Sequence, residues 1–367
     1  MNKKVSIIIP VYNGMATLSG CLQSIVEQTY EEVEVLVLDD GSEEAVAQQL
    51  DEMIDSILGY KKRIGKKLEI QVYHLEHEGV SSTRNRGIRL AQGDYVMFVD
   101  ADDRLYDADV VQKFLDVMQR EKADIVVGNY VREVDGQIEQ TTSHSVYHAW
   151  KQDSFAYRFS GFFSIGHLSY MWGKMFRRES LLRWDIPSYA IDYGEDKLFS
   201  FGCYLHGATY AFLEDNTYIY VRNLSSVSYQ YREHYEDGWM RISHEMERLA
   251  EQVESRKKDS TRNATADLIA CTLLFAVFFD GKMVYEEKRD RELLRRLIAF
   301  YGDDDWARNY MRYILQPKVR RQIPNLVYRV GIPMFERALD RHHYGLISMG
   351  IRWIVHLDMD QKIKKMK

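Results

Sequence analysis

Cysteine and proline are scarce, with 3 and 5 in 367 residues. Cys21, Cys203 and Cys271 lie far apart, in no metal-ligand spacing. Their odd number cannot close a disulfide framework, so a reducing, cytoplasmic setting is expected. A basic excess is also missing: 49 Lys and Arg against 55 Asp and Glu give a net charge of −6, which excludes a nucleic-acid binder of the ordinary basic kind. Long hydrophobic runs are absent too. The longest, Leu268 to Phe279, stops at Asp280 after 12 residues, and a bilayer span needs about 20, so a buried helix is expected. The short apolar run at the start ends at Pro10 and reads as a strand, not a signal peptide. With 46% apolar and 28% charged residues, disordered and collagen-like chains are excluded.

What is present is a strand–helix alternation over the first 130 residues. The continuous apolar run 5–9 predicts a strand covered on both faces, and 33–38, 70–75, 95–99 and 125–130 read as further strands. Between them, stripes at three- and four-residue spacing over 18–26, 46–58, 80–91 and 110–118 predict helices. This rhythm predicts a doubly wound, mostly parallel sheet, whose ligands bind beyond the carboxyl ends of the strands. Residues 131–230 lose the rhythm and are rich in aromatics and turns. From Asp237 onward the pattern is helical. A boundary is therefore placed near 232, giving domains 1–232 and 233–367.

Two acidic clusters fall at predicted strand ends. Asp100-Ala101-Asp102-Asp103 follows YVMFV. Carboxylates sharing one strand end repel unless a cation joins them, and hard oxygen ligands suit Mn2+ or Mg2+. The plainer reading is a solvated turn or the N-cap of a helix starting near Tyr106. Asp39-Asp40-Gly41-Ser42 closes the second strand, either as a helix N-cap or as a carboxylate that hydrogen-bonds a nucleoside.

SIIIPVYN (6–13), LVLDDGS (36–42), GVSSTRNRGIRLAQGDYVMFVDADD (79–103) and YGEDKLF (193–199), in this order and spacing, resemble glycosyltransferase family 2. The resemblance covers roughly residues 4–230. It implies the GT-A fold, a Rossmann-like doubly wound sheet, here followed by a smaller all-helical domain. Residues 1–130 would bind the nucleotide sugar and 131–232 the acceptor. It also implies an inverting, metal-dependent hexosyl- or N-acetylhexosaminyl-transferase. The donor would be a nucleotide-diphosphate sugar, UDP-linked, and the acceptor a hydroxyl on a surface polysaccharide, a lipid-linked glycan or a glycoprotein glycan.

At matching positions, Pro10 and Tyr12 in the loop after the first strand would line the base pocket, and Asp40 would contact uracil or ribose. Arg84 would hold the nucleotide end of the donor, Asp100 the ribose or sugar, and Asp102 the metal. Asp196 would be the base that takes the acceptor proton, with Glu195 orienting the acceptor. Trp172 and Lys174 would lie near the donor sugar and phosphates, with a core tryptophan and a solvated lysine as the alternatives. His206 and His234 are left outside the metal set. Two other classes compete. A nicotinamide-dependent oxidoreductase would need G-x-G-x-x-G after the first strand, where this chain has P-V-Y-N-G. A non-catalytic homologue or scaffold would be expected to lack the aspartates, which are all present.

Residues 317–367 carry 11 Lys and Arg against 4 Asp and Glu. A basic amphipathic end suits peripheral contact with an anionic membrane. The alternative is a helical add-on packed on the catalytic domain or on a second copy in a homo-oligomer.

Overall fold

The computed structural model describes residues 3–191, 193–222, 235–254 and 261–356. In chain order the strands are β1 Val5–Val11, β2 Val33–Asp39, β3 Glu69–His74, β4 Tyr95–Phe98, β5 Arg104–Leu105, β6 Ile125–Val134, β7 Gln137–Gln140, β8 Lys174–Arg177 and β9 Tyr210–Val221. The helices over the same span are α1 Met15–Val26, α2 Glu44–Arg63, α3 Val80–Leu90, α4 Val110–Glu121, α5 Ser145–His148, α6 Phe155–Phe159, α7 Arg178–Trp184 and α8 Glu195–Leu205. Then follow α9 Tyr235–Glu254, α10 Thr261–Lys288, α11 Arg291–Asp303, α12 Asp305–Met311, α13 Pro317–Arg320, α14 Leu326–Asp340 and α15 Tyr344–His356.

The chain forms two compact units, 1–146 with 167–223, and 147–166 with 224–367. The sequence boundary near 232 lies outside the described residues. Residues 147–166 carry no charge or glycine signal that sets them apart, yet they fold with the second unit. There Arg158 Nε donates to Asp267 at 2.9 Å, and the Phe159 ring meets Phe275 at 5.9 Å. A buried arginine must pair with an acid, and Asp267 supplies it.

In the first unit the described strands make one sheet in the order β3-β2-β1-β4-β8-β6-β9-β5, with β7 on β6. β3, β2, β1 and β4 are parallel, as the alternation predicts. β8 then runs antiparallel to both β4 and β6, and β9 returns parallel to β6. The sheet is thus mixed and mostly parallel. β8 is four residues with a buried lysine, and β9 is interrupted by a register shift opposite Gly128–Tyr130, so neither shows a strand period in sequence.

The strand order reverses at β1, with β2 on one side and β4 on the other. β4 pairs with β1 only as far as Ile8 opposite Phe98. Pro10 therefore lies inside β1, opposite Leu38 of β2, and not in the loop after it. Its missing N–H costs no ladder bond on the β4 side, because that ladder has already ended. Beyond this point β1 and β4 part, which is where open α/β sheets hold ligands. Gly87 seats α3 against the sheet: a Cβ there would stand 2.6 Å from Ile8 Cγ2 and 2.8 Å from Leu38 Cδ1.

The second unit is helical throughout its described residues. α10 is its core helix and touches α6, α9, α11, α12 and α15. Residues Asn263–Lys288 are long and apolar enough to cross a bilayer, but 72% of the most apolar stretch is buried inside the protein. Asp280 within it accepts hydrogen bonds from Trp239 Nε1 at 3.1 Å and the Tyr301 hydroxyl at 2.9 Å.

Candidate active site

Arg84 is the centre of the site. It lies on α3, 4% exposed, held down by the close seat of Gly87 one turn later. Its Nη2 donates to Asp100 at 2.7 Å, and its Nη1 to Asp196 at 2.6 Å and to Glu195 at 3.0 Å. The end of β4 and the first turn of α8, far apart in sequence, thus meet on one guanidinium. Asp196 is fixed further by the Met171 N–H, which donates to its second oxygen at 3.2 Å. Arg84 was expected at the nucleotide end of the donor. In the structure both of its Nη groups are spent on carboxylates, since three shielded acids require a cation.

The acids are electrostatically loaded. Burial pushes the Glu195 carboxyl up to about 7, with Asp196 adding to the rise and Arg84 opposing it. Burial also raises Asp100, against the pull of Arg84. Asp102 is pushed up to about 6 by burial and then by Asp100. Asp103 is raised well above the usual range by burial and by both neighbours. Its Oδ1 accepts the Val221 N–H at 2.8 Å, which ties the cluster to the end of β9. The Asp100 N–H donates to the Tyr218 hydroxyl at 3.0 Å. Among the described residues neither Asp102 nor Asp103 makes an ion pair. A group of clustered carboxylates, short of positive charge and carrying only hard oxygen donors, fits Mn2+ or Mg2+.

At the end of β2, Asp40 is buried. Its Oδ1 accepts the Glu78 N–H and its Oδ2 the Gly79 N–H, both at 3.0 Å, which locks the strand end to the start of α3. Oδ1 retains a second lone pair for a ligand N–H. Tyr12 is 53% exposed and stacks on His77, with ring centroids 4.3 Å apart. His77 Nδ1 is 3.0 Å from Asp40 Oδ2. The aromatic pair beside a fixed carboxylate has the make-up of a nucleobase platform. His77 was missed from sequence; its only signal is its place just before Glu78-Gly79, where β3 feeds α3.

Two other expected donor contacts are revised. Trp172 is buried, with its ring stacked on Tyr170 at 4.4 Å and on Tyr218 at 4.8 Å, so it has no free face for a sugar. Lys174 is buried as well and donates to the Tyr170 carbonyl. Burial pushes its ammonium down to about 7, with Asp196 pulling the other way. It supports the loop from beneath and is not open to a phosphate. His206 caps the far end of α8 against Trp184, about 15 Å along the helix from Asp196 by the rise per residue. His234 lies outside the described residues.

The sequence profile described as "Glycosyl transferase family 2" matches residues 6–183. EpsH of Bacillus subtilis is 26% identical over 231 residues, 62% of this chain and 63% of EpsH. The glycosyltransferase GlyA of Streptococcus pneumoniae is 30% identical over 240 residues, 62% of this chain and 32% of GlyA. The matched region therefore spans less than two thirds of either relative. Among solved structures, the Staphylococcus aureus TarS fragment 1–349, solved with UDP-GlcNAc, superposes with a TM-score of 0.65 at 20% identity. The match covers 95% of this chain and 92% of that one and establishes a shared fold. Through residues 6–183 the chain belongs to glycosyl transferase family 2, with the GT-A fold.

Proposed function

We propose that this protein transfers a sugar from a UDP-sugar to a hydroxyl of a glycan acceptor, by direct inverting displacement with help from a divalent cation. The observation that carries the proposal is the Arg84 bridge, which joins the acidic end of β4 and the Glu195-Asp196 pair through one buried guanidinium. Tyr12, His77 and Asp40 would receive the base at the neighbouring strand end. The uridine nucleotide is favoured because TarS, which shares the fold, was solved with UDP-GlcNAc and with UDP. Asp102 would hold Mn2+ or Mg2+, which stabilises the charge that grows on the leaving nucleoside diphosphate.

Asp196 then has the part of base. Arg84 and the Met171 N–H fix its orientation before substrate arrives, so little reorganisation is needed when the acceptor hydroxyl is brought to it. Glu195, at the very start of α8, orients the acceptor. A single base suffices for displacement at the anomeric carbon with inversion.

The donor half is tested by calorimetric titration of UDP with Mn2+ present and after chelation. Native protein is expected to bind UDP more tightly with Mn2+, and Asp102→Asn to lose that difference while retaining its fold, because Asp102 bonds to no core element. Equal Mn2+ enhancement in the variant would remove Asp102 from the metal site.

A further inference from the structure

The last two helices of the second unit leave large hydrophobic side chains in water. On α14 these are Leu326, Val330 and Met334, four residues apart and hence on one stripe. On α15 they are Leu346, Met349 and Trp353, at three- and four-residue spacing. All six are between 53% and 69% exposed. The inward faces are made by other residues: Pro333, Glu336 and Leu339 on α14, and Ile347, Ser348 and Ile351 on α15. The helices are joined by residues 341–343 and touch one another. A single exposed leucine is ordinary; two such stripes on consecutive helices mark an interaction surface.

Charge decides what covers it. Lys318, Arg321, Arg329, Arg337 and Arg341 are exposed along the same segment. Of the two acids in 317–356, Glu336 is buried and Asp340 is bound by Arg312. The sequence that follows adds Lys362, Lys364, Lys365 and Lys367 against Asp358 and Asp360. A second copy docked through the same face would set like charges against one another. A layer of lipid phosphates beside hydrocarbon satisfies both the cations and the apolar stripes. We infer that α14 and α15 dock on an anionic membrane, with Leu326, Val330, Met334, Leu346, Met349 and Trp353 at the boundary of headgroup and acyl chain. These helices share no residue with the site built around Arg84, and the inference does not rest on the catalytic reading.

The test is sedimentation of the full-length protein with phosphatidylcholine vesicles, with and without phosphatidylglycerol, together with lipids brominated on the acyl chains. Binding is expected to require phosphatidylglycerol, and brominated lipid should quench a component of fluorescence that Trp353→Phe removes. Replacing Leu346, Met349 and Trp353 together by serine should lower partitioning by at least about tenfold, with the circular dichroism of the fold unchanged because all three side chains lie in water. Arg337→Glu with Arg341→Glu should abolish the preference for the anionic lipid. Failure to bind anionic vesicles at low salt would overturn the inference. So would binding without quenching of Trp353, which means adsorption through charge alone. A dimer that dissociates in the triple serine variant would assign the stripes to a second copy and equally overturn it.

Discussion

Asp196→Asn is expected to lower turnover of a UDP-sugar by roughly 10²–10⁴ and to leave UDP affinity nearly unchanged. Asparagine keeps the shape and the hydrogen bond from the Met171 N–H, but it cannot take a proton from an acceptor hydroxyl. The size of the loss follows from what a positioned base contributes to proton transfer in the transition state. The separation from donor binding follows from the geometry. Asp196 stands on α8, whereas Tyr12, His77 and Asp40 gather at the ends of β1 and β2. Steady-state kinetics at saturating donor, paired with UDP titration, checks it. A variant that kept its turnover at saturation and lost donor affinity would move Asp196 into the donor site.

Arg84→Met carries the largest expected effect on stability. The native guanidinium offsets Asp100, Glu195 and Asp196, whose side chains are 24%, 13% and 18% exposed. Removing one member of such a shielded ion group costs about 3–5 kcal/mol, and thermal unfolding should show it. The sign of the pH dependence follows from Glu195, which burial and Asp196 already push up to about 7. Without Arg84, which opposes that rise, the Glu195 carboxyl moves higher still. The folded variant then keeps a proton that the unfolded chain has released, so its deficit relative to the native protein grows as pH rises above about 7 and is smaller below it. The melting-temperature deficit of Arg84→Met should therefore be smaller at pH 5 than at pH 8. Arg84→Lys should recover part of the stability but not the turnover, because a point charge cannot hold three acids in the geometry of a fork. An unchanged melting temperature in Arg84→Met at pH 8 would contradict the bridge.

The parallel half of the sheet was legible because β1, β2, β4 and the start of β6 are buried on both faces, which writes continuous apolar runs into the sequence. β8 and β9 were not legible. One is too short to show a period, and the other breaks its register where polar residues 214–216 pass the bulge. In the site, strand-end aspartates were readable as candidates, since a doubly wound sheet sends such residues into one crevice. Their partners were not. Nothing in S-S-T-R-N states that the arginine turns inward to three acids, because that contact joins positions 84 and 196. Trp172 and Lys174 share the lesson: residue types that often serve sugars and phosphates are buried here because β8 is an inner strand between β4 and β6.

The central claim, direct displacement with Asp196 as the single base, fixes the stereochemistry of the product. Time-resolved proton NMR of UDP-GlcNAc hydrolysis in the presence of Mn2+, with water in the acceptor's place, reads the anomer formed before mutarotation. The donor is α-linked, so the account predicts β-GlcNAc as the first sugar released by the native protein, and neither anomer at a comparable rate from Asp196→Asn. α-GlcNAc appearing first would contradict it, since retention requires a second displacement that one base on one face cannot provide.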